Sequence, residues 1–151
     1  MIIATANSKG GVGKTTIAVH LAGWFHVYEY PTVLVDCDAQ RLSSRWLVEA
    51  VPEIPVRVTQ EPEEILTLLP ELQKQYEVVL VDGPGGLGDV TGAILTRADA
   101  ILVPTRASNL DIQALEWATS TVHEVQRLRD GLPHAVIVPT QVGRRNRTTK
   151  Y

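Results

Sequence analysis

Lys9-Gly10-Gly11-Val12-Gly13-Lys14-Thr15-Thr16 gathers glycines, lysines and hydroxyl side chains into one stretch, directly after the apolar start Met1-Ile2-Ile3-Ala4. A short strand, a glycine-rich loop and a helix in that order make an anion cradle. Glycines let main-chain N–H groups turn inward, and the helix N-terminus adds its positive dipole. In such a loop the amides of Gly10, Gly11, Val12, Gly13, Lys14, Thr15 and Thr16 surround phosphates. Lys14 reaches the β- and γ-phosphates, and the Thr15 hydroxyl coordinates Mg²⁺. The ligand this chemistry predicts is a nucleoside triphosphate.

A second group lies downstream. Val78-Val79-Leu80-Val81 runs into Asp82, and Gly83-Pro84-Gly85-Gly86 follows. An acid at the end of a buried strand beside the loop is placed to hold Mg²⁺, usually through a water, because Mg²⁺ keeps part of its hydration shell. The glycines after it leave room for a γ-phosphate and for a loop that changes conformation on hydrolysis.

These groups need a frame, and the apolar pattern supplies one. Strands are expected over 2–5, 32–38, 56–59, 77–82, 100–104 and 134–138, with helices over 15–26, 61–75, 90–97 and 111–129. The strand at 56–59 alternates and reads as a short outer strand. Continuous apolar strands alternating with amphipathic helices predict an α/β fold, a mostly parallel sheet with helices on both faces. Right-handed crossovers then bring the loops after the strand C-termini to one edge, where ligands bind.

The chain has 151 residues, of which 44% are hydrophobic, so one globular domain over 1–151 is expected. A net charge of −3 leaves DNA contact to a local patch. Arg144, Arg145, Arg147 and Lys150 form such a patch in the basic 143–151 tail, which reads equally well as a solvated terminus. Cys37 alone cannot form an intrachain disulfide and fits a reducing cytoplasm. No run of about 18 apolar residues predicts a transmembrane helix, and no charged leader opens the chain.

The standard phosphate-loop pattern is Gly-x-x-x-x-Gly-Lys-Ser/Thr. Ser8 stands where its first glycine would be, and Lys9 follows. Lys-Gly-Gly-x-Gly-Lys-Thr resembles the deviant Walker A motif of the ParA/MinD family of P-loop ATPases. Asp36-Cys37-Asp38-Ala39-Gln40 resembles that family's Asp-x-Asp-Pro-Gln, with alanine in place of the proline. Pro104 to Asp111 resembles its Pro-x-x-x-Ser-x-x-Asp segment. The resemblance covers nearly the whole chain and is closest to ParA-type partition ATPases. Family members usually run on beyond the last strand found here, so the chain is C-terminally short beside them.

The resemblance implies the following roles. Lys9 would cross a dimer interface to the partner subunit's phosphates. Asp38 would orient or deprotonate the attacking water, and Asp36 would support the Mg²⁺ shell. The plainer reading of both acids is capping of a strand-to-helix turn. Thr140 and Gln141 would frame the adenine, and Asp111 would cap a helix lining the dimer interface. Trp46 reads as packing. Without an Asn/Thr-Lys-x-Asp guanine signature, ATP is favoured over GTP. The protein would be a slow ATPase that dimerises with ATP and Mg²⁺, binds DNA nonspecifically, and is stimulated by a ParB-like partner. It would be cytoplasmic and nucleoid-associated when ATP-bound. Two other functions share the loop: a metabolic P-loop ligase or synthetase, and a MinD-like membrane-cycling regulator of cell division. Gln40, Ser108 and Asp111 fit the partition pattern better than the ligase.

Overall fold

The computed structural model describes residues 1–86, 88–106 and 109–142. Eleven elements alternate along them: β1 (Ile2–Asn7), α1 (Lys14–Val27), β2 (Thr32–Asp36), α2 (Leu42–Ala50), β3 (Val56–Val58), α3 (Pro62–Gln75), β4 (Val78–Gly85), α4 (Asp89–Arg97), β5 (Ala100–Arg106), α5 (Asn109–Leu128) and β6 (His134–Thr140). The strands form one sheet in the order β3-β2-β4-β1-β5-β6. Every pairing is parallel.

The central strands are apolar at successive positions because both faces are covered. Ile2, Ala4, Val33, Val35, Val79 and Val81 point to one face, where α3 and α4 contribute Ile65, Leu69, Leu72, Ile94 and Leu95. Ile3, Leu34, Val78 and Leu80 point to the other, against Ala18, Val19 and Ala22 of α1 and Leu47 of α2. Adjacent residues of one strand therefore enter different cores, which is why no polar position interrupts the run.

This layering places the site. β1 and β4 are neighbours in the sheet, yet α1 after β1 lies on one face and α4 after β4 on the other. Their loops diverge and open a crevice at the C-terminal edge, the usual ligand position in such sheets.

Several boundaries differ from the sequence-based expectation. β2 ends at Asp36 rather than at 38, because the Asp36 carboxylate accepts the Asp38 N–H and turns the chain out of the ladder. β1 and β4 run further, to Asn7 and Gly85, with a register shift between Thr5 and Asn7. There a Cβ on Gly83 would press into the Thr5 carbonyl oxygen of the neighbouring strand, so only glycine fits. α5 begins at Asn109, which puts Asp111 inside its first turn rather than at the cap. Among the described residues no helix is long and apolar enough to cross a membrane.

Candidate functional site

The glycine-rich loop leaves β1 at Asn7, which is buried and tied on two sides. Its side-chain amide donates to the Pro104 carbonyl of β5 at 2.7 Å, and its Oδ1 accepts the Lys9 N–H at 3.0 Å. The take-off of the loop is thus fixed to two strands. At its far end Gly13 precedes α1 with φ 100, a left-handed backbone that an L side chain rarely adopts. That turn lets the Gly13 carbonyl accept the first helical bond, from Ile17 N–H at 3.0 Å. Side chains added at Gly10 or Gly11 would meet nothing within 4 Å, so the mouth of the loop is open.

Lys14 is the first residue of α1 and is buried. Its Nζ donates across the loop to the Lys9 carbonyl at 2.9 Å. Burial lowers its pKa, and the carboxylates of Asp82 and Asp38 pull it back up. A desolvated ammonium facing the open mouth is a strong point charge for an anion.

Asp82 lies at the end of the apolar run of β4 and is fully buried. Its Oδ2 accepts the Thr15 hydroxyl at 2.9 Å and its Oδ1 the Thr5 hydroxyl at 3.2 Å. Burial raises its pKa, the hydrogen bonds from Thr15 and Thr5 oppose the rise, and the neighbouring Asp36 charge adds to it. A cation beside this carboxylate would relieve that burden. One carboxylate and one hydroxyl in contact are also the kind of partial oxygen set that Mg²⁺ takes from protein while phosphates and waters complete its shell. Thr15 and Asp82 therefore fit Mg²⁺.

Asp36 stands directly opposite Asp82 in the β2–β4 register. Both of its oxygens receive backbone amides, Asp38 N–H at 3.1 Å and Ser44 N–H at 2.8 Å, the latter in the first turn of α2. Asp38 bridges two loops: Oδ1 accepts Gln40 N–H at 2.8 Å, and Oδ2 accepts Gly85 N–H at 3.2 Å from the end of β4. A Cβ on Gly85 would in turn approach Lys14 Nζ to 4.0 Å. The structure thus brings Lys14, Thr15, Asp82, Asp38 and the end of β4 around one crevice.

Thr140 and Gln141 reach the same loop from β6. The Thr140 hydroxyl donates to the Val12 carbonyl and the Gln141 side-chain amide to the Gly11 carbonyl, both at 2.9 Å. Arg144, Arg145, Arg147 and Lys150 lie outside the described residues. Sequence reasoning missed Thr5, Asn7 and Ser43, all buried polar residues around the crevice. The signal that could have found Thr5 and Asn7 is their polarity at the end of an otherwise apolar strand. Ser43 carries no such signal.

Residues 3–151 match the family model for the CobQ/CobB/MinD/ParA nucleotide binding domain. The chain belongs to this family. Among its relatives, "Maintenance of carboxysome distribution protein A" of Gloeobacter kilaueensis is 35% identical over 139 residues, covering 91% of this chain and 62% of the relative. "Protein ParA" of Rhizobium radiobacter is 28% identical over 141 residues, covering 90% and 63%. The chain spans about three fifths of the length of these curated relatives.

Solved structures agree on the fold. Cobyrinic acid a,c-diamide synthase from Mycobacterium smegmatis, with bound ATP analog and magnesium, superposes with a TM-score of 0.80 at 21% identity, covering 96% of this chain and 76% of that one. A plasmid partition protein from Borrelia burgdorferi superposes with a TM-score of 0.79 at 16% identity, covering 96% and 81%.

Proposed function

We propose that this chain is the nucleotide-binding part of a ParA-type ATPase that segregates DNA or positions a cargo. The observation that carries the reading is the loop itself: two lysines bracket an open glycine turn, with the Thr15–Asp82 pair at its base. The sequence likeness to proteins named for partition and carboxysome distribution supports the same reading.

In this reading the amides of 10–16 hold the triphosphate of ATP. Lys14 exchanges its bond to the Lys9 carbonyl for phosphate oxygens. Thr15 and Asp82 hold Mg²⁺, with Asp36 fixing the geometry behind them. Bound Mg²⁺ neutralises charge on the phosphates. Asp38, held between Gln40 and Gly85, orients the attacking water. Water oxygen bonds to the γ-phosphorus as the bond to the bridging oxygen breaks, and ADP and phosphate leave. Lys9 completes the charge stabilisation from a second subunit, so hydrolysis requires a homodimer and is slow without a ParB-like partner. Arg144, Arg145, Arg147 and Lys150 supply nonspecific DNA contact in the ATP state, so that a cytoplasmic protein is nucleoid-associated when ATP-bound.

DNA retention with and without ATP and Mg²⁺, for wild type and Lys9→Ala, tests this. The expected result is nucleotide-dependent retention that Lys9→Ala abolishes. Equal retention in all samples would overturn the switch.

A further inference from the structure

We propose that Thr140 and Gln141 are positioning residues that aim the phosphate-binding amides of the glycine loop, each through a carbonyl on its outer side. The inference deepens the nucleotide-binding reading above and rests on it.

A trans peptide is planar, and its C=O and N–H point in opposite directions. The Gly11 carbonyl shares a plane with the Val12 N–H, and the Val12 carbonyl shares a plane with the Gly13 N–H. Gln141 Nε2 donates to the first carbonyl and Thr140 Oγ1 to the second, both at 2.9 Å. Two consecutive carbonyls are thus drawn to the β6 side, and the paired amides turn away from it. Val12 is fully buried and anchors the middle of the loop, whereas Gly10 and Gly11 carry no side chain to help set the peptide planes. The two hydrogen bonds add to the packing of Val12 in fixing these planes.

Four further observations support the assignment. The β5–β6 ladder holds register as far as Arg106 opposite Thr140, so the donor is placed by a strand rather than by a loose loop. The Thr140 methyl group lies 3.7 Å from where a Cβ of Gly13 would be, so the threonine stands beside the last residue of the loop. Gln141 has φ 54, a left-handed conformation unfavourable for a residue with a side chain, adopted where its amide reaches Gly11. Donors separated from their acceptors by 128 and 130 residues also couple an edge strand to the loop.

The test is calorimetric titration of the whole protein with ADP and with inorganic tripolyphosphate, a probe that has the phosphates and no base. The variants are Thr140→Val, Thr140→Ser and Gln141→Leu. Loss of one hydrogen bond that orients an amide predicts affinity weaker by about three- to tenfold for both ligands in Thr140→Val and Gln141→Leu, with recovery in Thr140→Ser. In ¹⁵N NMR spectra, Thr140→Val displaces the Gly13 amide and Gln141→Leu the Val12 amide, each more than the rest of the loop. A general loss of structure would not move these resonances one by one, and a urea midpoint for each variant separates it. Unchanged tripolyphosphate affinity in folded variants overturns the inference, including the case in which only ADP affinity falls, which marks a contact to the base. Wild type that binds neither probe overturns the nucleotide reading as well.

Discussion

β4 and β6 carry almost the same apolar run. Val78-Val79-Leu80-Val81 leads to Asp82, and Ala135-Val136-Ile137-Val138 leads through Pro139 to Thr140. Both are parallel strands whose ends reach the glycine loop. Yet the four residues of β4 are at most 2% exposed, while Val136 and Ile137 are 50% and 49% exposed. The difference is one of neighbours. β4 lies between β1 and β2 with helices over both faces, whereas among the described residues β6 pairs only with β5. Apolar, β-branched sequence makes a strand, and position in the sheet decides whether burial stabilises it. The site draws on both kinds: a buried acid from β4 and hydrogen-bond donors from the half-exposed β6 and the residue after it.

Core truncation tests this comparison most strongly. Leu80→Ala should lower unfolding free energy by about 2–5 kcal/mol, read as a shift of the urea midpoint. Ile137→Ala should lower it by less than about 1 kcal/mol, because half of that side chain already faces water. Equal losses would erase the contrast.

Next in size is Gly83→Ala, which drives a methyl group toward the Thr5 carbonyl and forces β1 from β4. A loss of about 1–3 kcal/mol is expected, together with weaker nucleotide binding as Thr15 and Asp82 separate. Gly10→Ala has open space around it and should leave thermal stability unchanged within about 0.5 kcal/mol. A stable Gly83→Ala protein with wild-type affinity would show that the close crossing is not needed.

Asp36→Ala removes the acceptor for the Asp38 and Ser44 amides at the head of α2. By analogy with helix caps it should cost about 1 kcal/mol, measured by thermal melting.

The smallest effect concerns Cys37, beside Asp36. Burial pushes its thiol up to about 12 from an ordinary 9.0, with the charges of Asp36, Asp82 and Glu64 adding to the shift. The native protein should therefore resist alkylation at neutral pH and react once unfolded. Because the folded pKa lies above the unfolded one, the stability held by this proton is complete below about pH 9 and is lost as pH rises toward 12. Rapid labelling of folded protein would contradict the packing of this strand end.

Much of this was legible in the sequence because it rests on local rules. The strand–glycine–helix order locates the loop, and an apolar run ending in acid locates Asp82. The outer position of the strand at 56–59 followed from its alternation, and β3 is indeed an edge strand. What escaped depends on distant contacts. Asn7 matters because Pro104 is beside it, and Gly83 because Thr5 crosses it. The exposure of β6 could not be read from residues resembling those of β4. The family resemblance points Thr140 and Gln141 to the adenine, whereas their bonds to Val12 and Gly11 arise only when β6 is laid beside β5.

Calorimetric titration of Mg²⁺ and ATP into the folded protein tests the central claim most directly. Saturable heat at one nucleotide per chain, lost in Lys14→Ala, is the result expected. No heat from well-folded wild type, or equal heat from Lys14→Ala, would contradict it.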